Sequence, residues 1–228
     1  MGENPHVSGP APFAEIAGDS DATLDVVALA IAGEFRDVDT PRAIAELDAL
    51  GAELSRAADR TRASPEVVVV ACRQVLGGVH GFLGDQTQYD HPDNSMLDLV
   101  LTRRRGLPIL LSVVYVEVAR RAGIELAGVG LPGHFVVGHF GADPPVLLDP
   151  FAGGATMSTD AAQDLVRPWE AHEIAMRMLN NLVASYHRRG DLTNALRAAT
   201  MRLALPVPEP QLQSTLKAEL RAIQARLN

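Results

Sequence analysis

Residues 104–124, which read RRGLPILLSVVYVEVARRAGI, decide how this sequence folds. Behind Pro108 the stretch is apolar and mostly β-branched, a composition that also suits a strand. Its length decides the matter, because a strand rarely continues as far as from Pro108 to Gly123. Arg120 and Arg121 favour a helix C-terminus, where positive charge offsets the helix dipole. We therefore predict a central helix, buried because it is apolar on nearly every side.

The segments around this helix predict an α+β fold. Three strand-like runs follow it and are separated by turn residues at hairpin distances; they are 126–131, 134–140 and 146–149. Helical periodicity marks further segments on both sides, at 22–35, 40–54, 64–76, 173–189, 191–205 and 209–227. The buried central helix is thus expected to pack on a small antiparallel sheet, with helices before it and a helical tail after it.

The predicted organisation has four parts. Residues 1–20, rich in Pro, Gly and Ala, are expected to be a flexible arm, and 21–93 a helical region. Residues 94–168 form the predicted core, and 169–228 form a tail whose turn is similar to that of one tetratricopeptide helix pair. The segment 77–94 is predicted to be a long loop, in which Asn94 or Ser95 caps the next helix.

Composition and charge argue against several classes of partner. The net charge of −8 and the isoelectric point near 5.3 disfavour nucleic acid and anionic membrane. The single cysteine, Cys72, rules out an internal disulfide. The first residues show no secretory pattern, and no apolar run is long enough for a membrane span. We expect a cytoplasmic protein.

Four motifs in a fixed order carry a family resemblance. They are NSML at 94–97, the stretch 104–124, PGHF at 132–135 and LDPF at 148–151. Together they resemble the SirB-type branch of the transglutaminase-like superfamily, which has a papain-like core. The resemblance implies a nucleophilic cysteine at the N-terminus of the central helix, a histidine on a strand, and an acidic residue that orients the histidine.

The resemblance places the histidine at His134 and the acidic residue at Asp149, but the nucleophile position falls on Pro108. Proline supplies no thiol, and it also lacks the backbone N–H that helps to bind the oxyanion in papain-like enzymes. Two catalytic functions are therefore missing at one position. Proline at this site is typical of the SirB-type branch.

Two other side chains are candidate nucleophiles. Ser112 lies one helical turn beyond Pro108 and is either a displaced nucleophile activated by His134 or, more commonly, bonded to the carbonyl four residues earlier. Cys72 is either a reactive thiol or a small buried apolar residue, which is the commoner role. His134 itself is either a general base or a buried structural partner of Asp149.

One group of conceivable metal ligands is disfavoured. Two of its histidines are five residues apart on a strand, so they point to opposite faces of the sheet and do not share an ion. The group comprises His134, His139, Asp143 and Asp149. We predict neither a metal nor another cofactor.

Three functional hypotheses follow. The favoured one is a non-catalytic or regulatory module that binds a protein or peptide, because the nucleophile is missing. The second is a hydrolase or acyltransferase that combines His134 and Asp149 with Ser112, Cys72 or an activated water. The third is an assembly partner whose binding surface has no connection with His134.

Overall fold

The computed structural model describes residues 9, 11–59, 65–158, 163–206 and 209–227 of the 228-residue chain. The α-helices of these residues are α1 (Phe13–Ile16), α2 (Leu24–Gly33), α3 (Thr40–Asp59), α4 (Pro65–Cys72), α5 (Leu97–Arg103), α6 (Pro108–Arg121), α7 (Ala171–Arg188), α8 (Leu192–Arg202) and α9 (Pro210–Ala225). A π-helix follows α4, and short 3₁₀ helices occur elsewhere; they are Arg73–Val79, Pro92–Ser95, Pro150–Ala152 and Gln163–Leu165. No helix in the described ranges is both long and apolar enough to cross a membrane.

The main sheet is antiparallel, as predicted. A parallel pair, β1 (Leu83–Gly84) with β2 (Arg105–Gly106), precedes it. The main sheet has the order β3–β4–β5–β6, with β3 (Ala127–Leu131), β4 (His134–His139), β5 (Val146–Asp149) and β6 (Ala155–Met157). The three predicted strands are confirmed to within a residue at each end. The sequence does not predict β6, because its three residues are too few to show a period.

The predicted central helix is confirmed as α6, which begins at Pro108. Proline suits this position because the first helical N–H has no partner within the helix. α6 packs against β4 and β3 on the sheet side and against α3 on the other side. Eleven of its residues are buried, as expected for a helix that is apolar nearly all round. The α+β architecture follows from this packing.

The predicted flexible arm differs from the structure over part of its length. Residues 13–16 form α1, and the Phe13 side chain is 1 % exposed within the main core. The Phe13 N–H donates to Glu34 Oε1 over 3.1 Å, which ties α1 to the end of α2. Burial of one aromatic side chain outweighs the glycine and proline around it. Residues 1–8 and 10 of the arm, and the helix start at Ser64, lie outside the described residues.

The segment 77–94 is more ordered than the predicted loop. The π-helix extends into it, and Asn94 lies in a 3₁₀ helix, whereas the cap position of α5 is Met96. Asn94 is fully buried: its Nδ2 donates to the Gln88 carbonyl over 2.7 Å, and its Oδ1 accepts from Arg103 over 3.2 Å. The prediction that Asn94 caps α5 was therefore wrong, because the amide nitrogen and the amide oxygen of Asn94 both form hydrogen bonds that close the loop.

A buried ionic cluster joins α6 to α2 and α3. The Arg121 guanidinium donates to Asp25 over 2.5 Å and to Glu117 over 2.8 Å. It also donates to Asp48 over 2.7 Å. Asp25 and Glu117 are each 2 % exposed, so arginine rather than water compensates their charge. Glu117 also accepts from the Leu24 N–H over 3.1 Å, at the first residue of α2.

The Glu117 carboxyl predicts a particular dependence of stability on pH. Burial and the nearby Asp25 charge raise its pKa above the ordinary 4.5, although Arg120 and Arg121 act in the opposite direction. Such a group contributes stability that is present below its unfolded pKa and is lost as pH rises through the folded pKa. Compared with Glu117→Gln, the wild type should lose unfolding free energy as pH rises from 4.5. Urea denaturation at a series of pH values tests this, and a difference that stays constant contradicts it.

Candidate functional site

A tight hairpin turn places His134. Pro132 and Gly133 connect β3 to β4, and Gly133 has a φ of +70°, a left-handed conformation that suits the third residue of a type II turn. His134 is therefore the first residue of β4. The neighbouring strand β5 ends at Asp149, so the two functional candidates meet at one end of the sheet.

His134 and Asp149 form a close pair. Nε2 of His134 lies 2.9 Å from Oδ2 of Asp149. The other carboxylate oxygen, Oδ1, accepts from the Phe151 N–H over 2.9 Å, at the start of a 3₁₀ helix. The histidine side chain is 27 % exposed and the aspartate 15 %. The expected contact is thus present, but the histidine reaches solvent and is not the buried residue of the structural interpretation.

Three further side chains are connected to His134, either directly or through a neighbour. Phe151 packs edge-on against the His134 ring with centroids 6.3 Å apart, and the exposed Tyr89 packs edge-on against Phe151 at 5.8 Å. From α7, Arg177 donates to the His134 carbonyl oxygen over 2.8 Å. Phe151 belongs to the motif 148–151, which is the one sequence signal for these contacts. Tyr89 and Arg177 are distant in sequence, and no local pattern connects them with His134.

Pro108 occupies the N-terminus of the helix that packs against β4. It is buried, and the N–H of Leu111 makes a helical hydrogen bond to the Leu107 carbonyl over 3.0 Å. Pro108 itself has no N–H to donate. The position to which the resemblance assigns the nucleophile therefore offers neither a thiol nor an amide donor.

Ser112 is sealed from solvent. Its side chain is 0 % exposed, and its Oγ makes no hydrogen bond with any described residue. Both expected arrangements, activation by His134 and a bond back to the Pro108 carbonyl, are therefore absent. A hydroxyl without a base or access to substrate is a poor nucleophile.

Cys72 ends α4 and is also 0 % exposed. Burial raises the pKa of its thiol to about 12. The interpretation of Cys72 as a small buried apolar residue is confirmed. Its neighbour is Tyr115 of α6, which is fully buried and whose hydroxyl has no hydrogen-bond partner among the described residues. Burial raises the pKa of Tyr115, and the charges of Cys72 and Asp149 act in the same direction.

The buried thiol is expected to resist alkylation in the folded protein. Only the thiolate reacts, and a pKa raised from 9.0 to about 12 makes the thiolate scarce near neutral pH. Iodoacetamide labelling followed by mass spectrometry should therefore be slow in native protein and fast in urea-unfolded protein. Equal labelling rates in the two states contradict the prediction.

A metal site does not form from the candidate ligands. In the described part of the chain, no three His, Cys, Asp or Glu side chains lie close enough together to hold a metal ion. His139 is engaged locally, since its Nδ1 accepts from the Gly141 N–H over 3.0 Å. His134 and Asp149 engage each other.

Sequence comparison agrees with this architecture. The family model described as the transglutaminase-like superfamily matches residues 41–187, which is more than half of the chain. This chain belongs to the transglutaminase-like superfamily. The matched segment contains the central helix, the whole sheet, the His134–Asp149 pair and most of α7.

Bacterial and animal proteins are similar to this superfamily member. A UPF0162 protein of Xylella fastidiosa is 35 % identical over 149 residues, covering 58 % of this chain and 53 % of the relative. A UPF0162 protein of Pseudomonas aeruginosa is 35 % identical over 141 residues, covering 61 % and 51 %. F-box only protein 21 of Mus musculus is 29 % identical over 178 residues, covering 70 % and 27 %. The chain thus spans about half the length of these bacterial relatives, and no solved structure matches it significantly.

Proposed function

We propose that this transglutaminase-like domain lacks thiol acyl-transfer activity and binds a protein or peptide segment around His134. The observation that carries the proposal is Pro108 at the start of α6, where the resemblance places the nucleophile. The two remaining candidates support it as well, because Ser112 and Cys72 are both fully buried. A histidine oriented by Asp149 but without a nucleophile is suited to hydrogen bonding rather than to acyl transfer.

The composition of the surface around His134 favours a binding role. We define the His134 surface as Tyr89, His134, Asp149, Phe151 and Arg177. Tyrosine and arginine are enriched among the residues that carry most of the energy of protein interfaces. Tyr89 is 44 % exposed although one side of its ring already packs on Phe151. The exposed part of Tyr89 is therefore available for a partner.

The finer family assignment is part of the proposal. We place the chain in the SirB-type branch, in the cytoplasm, with a tetratricopeptide-like tail. In support, α7 and α8 pack closely on each other across a short turn, and Asp191 caps α8 by accepting from the Asn194 N–H over 3.0 Å. α7 also supplies Arg177 to the His134 surface.

A hydrolase that activates water is the second candidate. The observation in its favour is the 27 % exposure of His134, which leaves the imidazole open to solvent. A partly exposed imidazole beside a carboxylate is suitable as a general base. This candidate requires no side-chain nucleophile, so the burial of Ser112 does not count against it.

Turnover assays separate the two candidates. The protein should hydrolyse an activated aryl ester and release ammonia from a glutaminyl peptide no faster than His134→Ala does. Turnover that is present in the wild type and abolished in His134→Ala overturns the binding proposal. Ser112→Ala, at a residue without access to solvent, serves as the control.

Peptide selection tests the binding role directly. Peptides enriched from a displayed library on the wild type should bind Tyr89→Ala at least about tenfold more weakly, as is typical of interface hot spots. The matched control is Leu212→Ala on α9, because Leu212 is exposed to a similar degree, 39 % against 44 %. Equal loss with both variants, or none with either, contradicts a site at the His134 surface.

A further inference from the structure

Arg177 holds the turn that carries His134. Its Nη1 and Nη2 donate to the Leu131 carbonyl over 3.4 and 3.3 Å, and Nη2 also donates to the His134 carbonyl over 2.8 Å. The guanidinium carbon lies 5.4 Å from the Phe135 ring centroid and 5.6 Å from that of Trp169. The side chain thus joins α7 to both ends of the hairpin turn and is held firmly in place.

The charge of Arg177 has no carboxylate partner among the described residues. A contrast is Arg167, which lies over the same Trp169 ring but donates to Glu173 over 2.9 Å. Burial lowers the pKa of Arg177, and the Tyr89 phenol acts in the opposite direction. An arginine nevertheless stays charged in proteins. A cation that is partly removed from water and paired only with carbonyls attracts an anion.

Donors remain for such an anion. A guanidinium has five N–H groups, and the three contacts of Arg177 leave its Nε without a partner among the described residues. The Tyr89 hydroxyl likewise forms no hydrogen bond there, and Tyr89 is 44 % exposed. The ring contacts from Tyr89 to Phe151 and from Phe151 to His134 bring this phenol to the same surface as Arg177.

We propose that the Arg177 guanidinium and the Tyr89 hydroxyl bind the carboxylate of a glutamate or aspartate side chain in the peptide partner. This inference rests on the proposed binding function and names the chemistry of its ligand. The net charge of −8 does not oppose it, because charges beyond about 8 Å are largely screened at physiological salt whereas Arg177 is in direct contact. The nearest carboxylate of the His134 surface, Asp149, is already paired with His134.

A matched set of short peptides tests the inference on the full chain. The probes are a doubly capped Ala-Glu-Ala tripeptide, its Ala-Gln-Ala counterpart, and Ala-Ala-Ala with a free C-terminal carboxylate. The readout is the NMR shift of the Arg177 Nε–H group during titration. We expect saturable shifts with the glutamate peptide and at least about tenfold weaker binding of the glutamine peptide, because charged hydrogen bonds are the stronger ones.

Variants connect the binding to the two named groups. Tyr89→Phe keeps the ring and removes the hydroxyl. It should therefore lower the affinity for the glutamate peptide roughly two- to tenfold, as the loss of one hydrogen bond does. Arg177→Gln should abolish the preference for glutamate over glutamine. Circular dichroism shows whether that variant is folded. If it is not, the wild-type titrations and Tyr89→Phe test the inference without it.

Three results overturn the inference: equal binding of the glutamate and glutamine peptides, binding of the free C-terminus alone, or no shift with any peptide. None of these produces turnover, so they leave the broader binding proposal in place. Turnover lost in His134→Ala overturns that broader proposal whatever the peptides do.

Discussion

Arg121→Met is expected to lower the free energy of unfolding by about 3–5 kcal/mol, the loss typical when one partner of a buried ion pair is removed. The variant leaves the carboxylates of Asp25 and Glu117 without the guanidinium that lies 2.5 and 2.8 Å from them. Both carboxylates are 2 % exposed, so water cannot take its place. Methionine keeps much of the aliphatic volume, which isolates the effect of the charge. Urea denaturation at neutral pH measures the loss.

The adjacent Arg120 provides a matched control. Its guanidinium also donates to Glu117, over 2.8 and 2.9 Å, but its side chain is 49 % exposed against 12 % for Arg121. Solvent weakens such a pair, so Arg120→Met should cost at most about 1 kcal/mol. Equal losses in the two variants contradict a dominant role for burial.

This cluster matters for the candidate site because it anchors the central helix. Arg121 and Glu117 lie in the last turns of α6 and connect it to α2 and α3. The other end of α6 is the buried Pro108 terminus, and the helix packs against β4 between the two ends. Loosening the cluster should therefore raise hydrogen exchange along α6, which packs against the strand that carries His134.

Gly77→Ala is expected to lower the free energy of unfolding by about 3 kcal/mol or more. This value lies at the upper end of the range for overpacked sites. A methyl group on Gly77 would overlap the Gly153 carbonyl oxygen and lie 2.7 Å from its carbonyl carbon. The obstacle is backbone, so no side-chain rotation relieves it. Gly153 follows the 3₁₀ helix that begins behind Asp149, so the substitution should also displace the His134–Asp149 pair.

Gly78→Ala is the control for this prediction. Gly78 lies in the same π-helix, and the nearest atom to an added methyl group is the Arg73 carbonyl oxygen at 3.8 Å, an ordinary contact. Alanine there restricts the unfolded chain without a clash, so stability should be unchanged or rise by about 0.4–1 kcal/mol. Thermal or urea denaturation of both variants, with the His134 ring resonances as a local readout, tests the pair. Similar stability of the two variants contradicts a tight Gly77–Gly153 contact.

Sequence patterns predicted those parts of the fold that depend on local periodicity. α6 and the strands β3, β4 and β5 lie within a residue or two of their predicted limits. β6 was missed because it is too short to show a period, and the cap assigned to Asn94 was wrong because that amide closes a loop instead. α1 was missed because Phe13 is buried by distant residues, which periodicity does not register.

Some residues of the candidate site are indicated by sequence motifs, and others are brought to it only by folding. The motifs point to His134, Asp149 and Phe151, because these residues lie within the short segments that carry the family resemblance. Tyr89 and Arg177 come from a loop and from the tail, and only folding brings them to His134. The burial of Ser112 and Cys72 is likewise a property of the packed molecule, which no local pattern reveals.

By itself, the stretch 104–124 determined a buried central helix that begins at Pro108, a residue with no thiol and no backbone N–H. The helix needs only the identity of each residue and its spacing, which are local properties, whereas the role of Pro108 is what the family resemblance implies. Tertiary structure alone decided that His134 stays partly exposed, that Arg177 supports it, and that Arg121 balances two buried carboxylates. Such contacts join residues far apart in sequence, and their energies depend on burial, which exists only once the chain has packed.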